Sequence, residues 1–278
     1  MKEEGRPGKM RIRWYTLLAA CAVALSACGN APVAAPQSPT RAAAPPATQP
    51  PAAPVAASPT ALAATAANTN TGPRTVTFQT EDGITLSGTL FGKGEVGVVL
   101  SHMFPTDQTS WHAFAQALAD DGYLALAYDF RGYGQSGGEK RVDQIDRDVR
   151  AAAAFLRGQG AQRIVLIGAS MGGTASVKAA GSVRADALVV ISSPQSFEGL
   201  TASEDDLKSF EGPSLWIGSR NDTATPGSEA MYALANEPKA LHIYEGSAHG
   251  TYIFDTGDGP DLTRRLIDFV ASSLPPKL

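Results

Sequence analysis

From Arg74 onward, short runs of apolar residues alternate with longer segments of helical periodicity. Thr75–Thr80 alternates polar and apolar positions as a half-buried strand does, Glu81-Asp82-Gly83 is a turn signal, and Ile84–Phe91 alternates again, so a hairpin is predicted. Val96–His102 is almost wholly apolar, the pattern of a strand covered on both faces. A loop over Met103–Thr109, a helix over Ser110–Asp121 and an apolar strand over Tyr123–Asp129 follow. Beyond the glycine-rich stretch Arg131–Gly138, Val142, Ile145, Val149, Ala153 and Leu156 fall on one helical stripe.

The next unit carries the strongest local signal. Ile164–Ile167 is a buried-strand run, an alanine-rich helical segment follows, and Gly168-Ala169-Ser170-Met171-Gly172 lies between them. A G-x-S-x-G between strand and helix puts a serine on a turn too tight for ordinary dihedrals, at a helix start where amide N–H groups favour developing negative charge. Further strands are predicted at Ala187–Ile191, Ser214–Gly218 and Leu241–Tyr244, with helices after Pro226 and over Asp261–Leu274. Strands alternating with helices imply an α/β domain with a mainly parallel, doubly wound sheet and an antiparallel hairpin at its start.

The first quarter of the chain follows neither period. Arg11 and Arg13 precede an apolar run, Tyr15–Ala27, that is too short to span a membrane comfortably, so residues 1–27 read as a secretion signal. Leu25-Ser26-Ala27-Cys28 resembles a bacterial lipobox, which implies lipidation of Cys28 with palmitate-type chains, and a membrane partner reached through lipid. Residues 28–73 are Ala-, Pro- and Thr-rich, with Arg41 the only charged side chain, and read as a disordered tether. The folded domain is then 74–278, and the expected location is the cell envelope, facing outward from the cytoplasmic or outer membrane.

Charge and cysteine content remove several function classes. The chain carries −4, and residues 1–27 hold five basic and two acidic side chains, which leaves −7 on the remainder and argues against nucleic-acid binding. Both cysteines, Cys21 and Cys28, precede the domain, so it offers no disulfide, thiol nucleophile or cysteine metal site. Four scattered histidines show no metal-ligand spacing, and no cofactor is expected.

Ligands of open α/β sheets bind beyond the carboxyl ends of strands, where this sequence places Ser170, Asp222 and His249 in that order. With Gly168-Ala-Ser-Met-Gly-Gly173, Asp129-Phe-Arg-Gly-Tyr-Gly-Gln-Ser-Gly-Gly138, Asp222 with Pro226 four residues on, and Ser247-Ala-His-Gly250, the domain resembles the α/β-hydrolase fold, close to monoacylglycerol-lipase-like serine esterases. The resemblance implies Ser170 as nucleophile, His249 as base and Asp222 as its orienting acid. It implies an oxyanion hole from the backbone N–H of Met171 and of Met103, where the family commonly has glycine; Phe104 is the alternative to Met103.

Other roles stay open for some of these residues. Asp222 could instead cap the helix near Pro226; Asp255 and Asp258 follow His249, outside the acid's usual position. His102 reads as a structural histidine bound to the oxyanion loop, His112 and His242 as packed or exposed, and Asp129 with Arg131 as a structural ion pair. The interval Ser192–Pro213 leaves room only for a minimal cap, so an open site for short or medium esters, or bulky ones gripped at one end, is expected, lined by Trp111, Phe104, Tyr133 and Phe197. A peptidase or thioesterase would share these parts, and a non-catalytic surface lipoprotein is the reading from another class. Dienelactone hydrolases typically carry cysteine at the elbow, and haloalkane dehalogenases and epoxide hydrolases aspartate, so Ser170 counts against all three. The partner expected is a small-molecule ester, and the protein is read as a monomer.

Overall fold

The computed structural model describes residues 72–276. The signal at 1–27, Cys28 and nearly all of the 28–73 tether lie outside the described residues.

Eight strands form one sheet: β1 (Arg74–Gln79), β2 (Thr85–Gly92), β3 (Val96–Ser101), β4 (Leu124–Tyr128), β5 (Arg163–Ala169), β6 (Ala187–Ile191), β7 (Ser214–Ser219) and β8 (Lys239–Tyr244). Their spatial order is β1-β2-β4-β3-β5-β6-β7-β8. The expected hairpin pairs β1 with β2, and β2 also runs antiparallel to β4; every pairing from β4 through β8 is parallel. The chain reverses its direction of progress between β3 and β5, which makes their carboxyl ends the switch point where ligands of such sheets bind.

The sheet is sandwiched because its central strands are apolar on both faces. In β5, Ile164 and Leu166 enter one core with α2 (Ile145–Gly158) and α3 (Met171–Val183). Val165 and Ile167 enter the opposite core with α1 (His112–Asp120) and α6 (Gly259–Ser273). Each such side chain, fully buried, contributes about 1.5–3 kcal/mol. The stripe read from Val142 to Leu156 is buried as expected, its first residues forming a 3-10 turn, Val142–Gln144. The helix expected from Ser110 likewise opens as a 3-10 turn, Gln108–Trp111, capped by the Asp107 carboxylate on Thr109 N–H. Between β6 and β7 the minimal cap consists of a two-residue-armed hairpin, Ser196–Phe197 with Leu200–Thr201, and the short α4 (Glu204–Lys208).

Asp129 and Arg131 do not form the expected ion pair. Arg131 turns away to Asp148 on α2, at 2.6 and 2.8 Å, and to Asp82 in the β1–β2 turn, at 2.9 Å. Asp129 is taken by neutral donors instead, Gln108 N–H, Gln108 Nε2 and Gln135 N–H, each at 2.9 Å. Both residues still brace the glycine-rich loop, through different partners. Asp148 is wholly buried and Arg131 is 3% exposed, so removing the guanidinium strands a carboxylate in the core. Arg131→Met is therefore expected to cost about 3–5 kcal/mol at neutral pH. The hydrogen bond from Arg131 also holds the Asp82 carboxyl well below the usual range. Its stabilisation is complete above the unfolded value of about 3.9 and is lost as pH falls toward the folded one. Burial pushes the Asp148 carboxyl up even beside Arg131, and without the guanidinium it takes a proton at still higher pH, so denaturant melts of the two proteins should begin to converge between neutral pH and about 4 and continue to do so as Asp82 is protonated.

Candidate active site

One residue separates β5 from α3, and it is Ser170. Its dihedrals, φ 51° and ψ −122°, lie where L-residues rarely go, a conformation costing about 1–3 kcal/mol. The neighbouring backbone imposes it. Ser170 N–H extends the β5–β6 ladder to the Ile191 carbonyl at 2.8 Å, while the Ser170 carbonyl accepts from Gly173 and Thr174 N–H at 2.9 and 3.1 Å. Gly172 seats the helix against the end of β3, where an added Cβ would stand 2.5 Å from the His102 carbonyl oxygen. The first-turn amides of Met171 and Gly172 have no acceptor one turn back inside the helix.

Asp222 and His249 come from the parallel neighbours β7 and β8, whose last paired residues are Ser219 and Tyr244. Beyond that pair the loops stay joined: Asn221 N–H donates to the Gly246 carbonyl at 2.9 Å and Ser219 Oγ to the Ala248 carbonyl at 2.6 Å. His249 Nδ1 then lies 3.0 and 2.9 Å from the two Asp222 carboxylate oxygens. A carboxylate only accepts, so Nδ1 carries the proton and Nε2 is the nitrogen left for chemistry. Oδ1 also accepts Ala224 N–H at 3.1 Å, so Asp222 closes the turn before α5 (Thr225–Leu234) as well as binding the imidazole. Burial pushes the Asp222 carboxyl up, but the His249, Ala224 and Ser192 interactions outweigh it and hold the group below the ordinary range. The Ser192 hydroxyl is buried near enough to contribute without the geometry of a full hydrogen bond. Asp255 is exposed, and Asp258 stands at the start of α6.

The next residue ties the histidine loop to the elbow. A Cβ on Gly250 would lie 3.3 Å from Ala169 Cβ and 2.6 Å from Met103 Sδ, so the residue after His249 is seated against the residue before Ser170 and against Met103. Ser101 pairs with Gly168 in the β3–β5 ladder, which puts Met103 and Ser170 two residues beyond the same rung. The missing glycine at 103 is accommodated by burying the methionine side chain completely. Phe130 N–H donates to His102 Nε2 at 3.1 Å, so His102 Nδ1–H donates to the Met103 carbonyl at 2.9 Å, and burial keeps the imidazole neutral. The structural role expected of His102 is the one it has.

At the mouth, Phe104 is 46% exposed and its ring lies 6.3 Å from that of Phe197 on the cap hairpin. Tyr133 is nearly buried, with its hydroxyl 3.9 Å from Met171 Sδ. Trp111 does not line the mouth. It is fully buried between Phe114 and Phe254, because the 3-10 turn points its ring into the core. His112 packs on Phe91 and His242 on Tyr244. Ser192 escaped the sequence reading; the one available signal was a serine pair at the end of an apolar strand. Among the described residues no three His, Cys, Asp or Glu side chains converge as metal ligands.

Residues 95–197 match the family described as serine aminopeptidase, S33. An uncharacterised protein of Mycobacterium tuberculosis is 29% identical over 202 residues, 63% of this chain and 72% of that one. A shorter stretch is 39% identical over 84 residues to Epoxide hydrolase A of the same organism, 28% of this chain and 26% of that one. Among solved structures, an esterase of Pyrococcus furiosus superposes with a TM-score of 0.62 at 20% identity, covering 73% of this chain and 91% of its own. An α/β hydrolase of a Penicillium species superposes with a TM-score of 0.61 at 19% identity, covering 73% and 99%. The chain has the α/β-hydrolase fold. Within that fold, the strained Ser170 and the Asp222–His249 pair follow the carboxyl ends of β5, β7 and β8, at the same end of the parallel strands.

Proposed function

We propose that the protein is a serine hydrolase that cleaves carboxylic esters through an acyl-enzyme on Ser170. The observation that carries this reading is the Asp222–His249 pair at 2.9 Å, on a loop whose Gly250 packs against Ala169, the residue before the strained Ser170. His249 Nε2 takes the Ser170 proton as Oγ attacks the ester carbonyl, and returns it to the departing alkoxide. Asp222 keeps the imidazole in the Nδ1–H tautomer and stabilises the imidazolium between those transfers. The oxyanion sits between Met171 N–H and Met103 N–H, each donor contributing about 2.7–4 kcal/mol to the transition state. Water activated by His249 then releases the acid from Ser170.

The esterase among the structural neighbours supports this reading, and the family description supports an amide-cleaving second one. A fluorophosphonate should label Ser170, and nitrophenyl esters of two to six acyl carbons should outrun longer ones, given the minimal cap. An aminoacyl nitroanilide cleaved faster than any ester would favour the second reading. Folded protein that resists labelling would remove both.

Anchoring belongs to the same proposal. Residues 1–27 direct export, Cys28 is lipidated, and 28–73 tethers the hydrolase at the envelope surface. Among the described residues no helix is long and apolar enough to cross a membrane. Palmitate labelling should depend on Cys28, and Cys28→Ala should shift the protein from the membrane to the soluble fraction; unchanged fractionation counts against the anchor.

A further inference from the structure

We propose that Asp129 is a positioning residue for the oxyanion hole: its buried carboxylate, together with the N–H of Phe130, staples both ends of the loop that presents the Met103 N–H. The inference rests on the serine-hydrolase reading above and gives a task to a residue that the triad leaves unused.

The staple begins where two parallel strands stop. Ser101 and Tyr128 form the last rung between β3 and β4. Beyond it, Phe130 N–H donates to His102 Nε2 at 3.1 Å, and His102 Nδ1–H donates to the Met103 carbonyl at 2.9 Å. That carbonyl also accepts Thr106 N–H and Thr106 Oγ1–H, both at 3.0 Å, so the chain folds back directly after Met103. The turn runs on to Gln108, the first residue of the 3-10 segment before α1. There the Asp129 carboxylate takes two bonds from one residue, Gln108 N–H on Oδ1 and Gln108 Nε2 on Oδ2, each at 2.9 Å. Thr89 Oγ1 donates to Gln108 Oε1 at 2.9 Å, which turns the amide so that its nitrogen faces the carboxylate. Entry to the loop and exit from it are thus bound to two adjacent residues just past β4.

The glycine-rich loop closes the other side of the carboxylate. Gln135 N–H donates to Oδ2 at 2.9 Å, and any Cβ on Gly134 would collide with the carboxyl group. The whole arrangement is dry: Asp129 is 1% exposed, and His102 and Met103 are fully buried.

A carboxylate is a costly choice at such a place. All three donors are neutral, so hydrogen bonds alone must offset its desolvation. What it provides is acceptance at both oxygens with no donor of its own, which lets it hold three N–H groups at once. Asparagine cannot do the same. Whichever way its amide turns, an NH2 group faces Gln108 N–H or Gln108 Nε2, and the exit end of the staple loosens. Asp129 acts on the loop and not on the substrate, so its loss should be felt where the Met103 N–H works, in the transition state and not in ground-state binding.

The test combines kinetics on a nitrophenyl ester with inhibition by an aryl trifluoromethyl ketone. Ser170 Oγ adds to the ketone carbon, its proton passes to His249, and the ketone oxygen becomes an oxyanion in the hole. In the full-length protein Asp129→Asn should lower kcat at least tenfold, within the roughly 10²–10³-fold that loss of an entire donor costs. KM should change less than about threefold, and the Ki of the ketone should rise in step with the fall in kcat. Gln108→Leu keeps the backbone bond to Oδ1 and loses the side-chain one, so it should move kcat and Ki the same way by a smaller factor, at least about threefold. Circular dichroism melts identify which variants are folded. A merely structural role would lower the melting temperature and leave kcat and Ki of the folded protein unchanged. That result in Asp129→Asn, or in Gln108→Leu where the asparagine variant does not fold, overturns the inference alone. Wild-type protein that neither cleaves the ester nor takes a fluorophosphonate overturns the hydrolase reading, and the positioning role with it.

Discussion

Replacing Ser170 with alanine is expected to lower kcat on a nitrophenyl ester by about 10⁴–10⁶-fold, since removing the nucleophile leaves only binding and the oxyanion donors. The same position makes a second, opposite prediction for stability. Its φ of 51° is imposed by the Ile191 bond on one side and the Gly173 and Thr174 bonds on the other, and alanine inherits the strain. Glycine does not, because it reaches positive φ without a Cβ clash. Ser170→Gly should thus be as inactive as the alanine variant yet more stable than wild type by about 1 kcal/mol, the low end of the cost of such dihedrals. Kinetics and denaturant melts on the three proteins check both parts. Alanine retaining a tenth of the rate would remove Ser170 from the nucleophile role. A glycine variant less stable than wild type would mean that the turn is not strained.

Such an exchange of stability for reactivity explains why the elbow was the most readable part of the chain. Three separate demands meet there: an apolar run to bury β5, glycines where α3 meets β3, and a serine between them. Each leaves a mark within a few residues. The strand ends bearing Asp222 and His249 were legible for the same reason, because β7 and β8 are short apolar runs bounded by polar loops.

What escaped was set by partners distant in sequence. Arg131 stands two residues from Asp129, yet its mates are Asp82 and Asp148, brought in by the β1–β2 turn and by α2. Nothing local marks Asp148 as buried; it precedes Val149 on the apolar stripe and looks like part of the solvated face. Pairing of β2 with β4 is non-local too, since sequence order puts β3 beside the hairpin. The cap hairpin has arms of two residues, too short for any period to register.

Asp222 is where a structural and a catalytic role can be separated by one substitution. Its carboxylate both closes the turn ahead of α5, through Ala224 N–H at 3.1 Å, and holds His249 Nδ1 at 2.9 Å. Asparagine keeps an oxygen for the amide, and Asn is as good as Asp in capping positions, so the turn should survive with a loss of under about 1 kcal/mol. The imidazole, however, loses its anion. An amide nitrogen facing Nδ1 would stabilise the tautomer protonated at Nε2, which cannot accept the Ser170 proton, and no negative charge would remain to balance the imidazolium. Asp222→Asn is therefore expected to melt close to wild type while kcat falls by about 10⁴-fold at neutral pH. Because the wild-type carboxyl is held below its ordinary range, the charge it provides should persist through mild acid, so the defect should stay undiminished as pH is lowered to about 5. Full activity in a folded asparagine variant would reduce Asp222 to a turn cap and require another acid for His249.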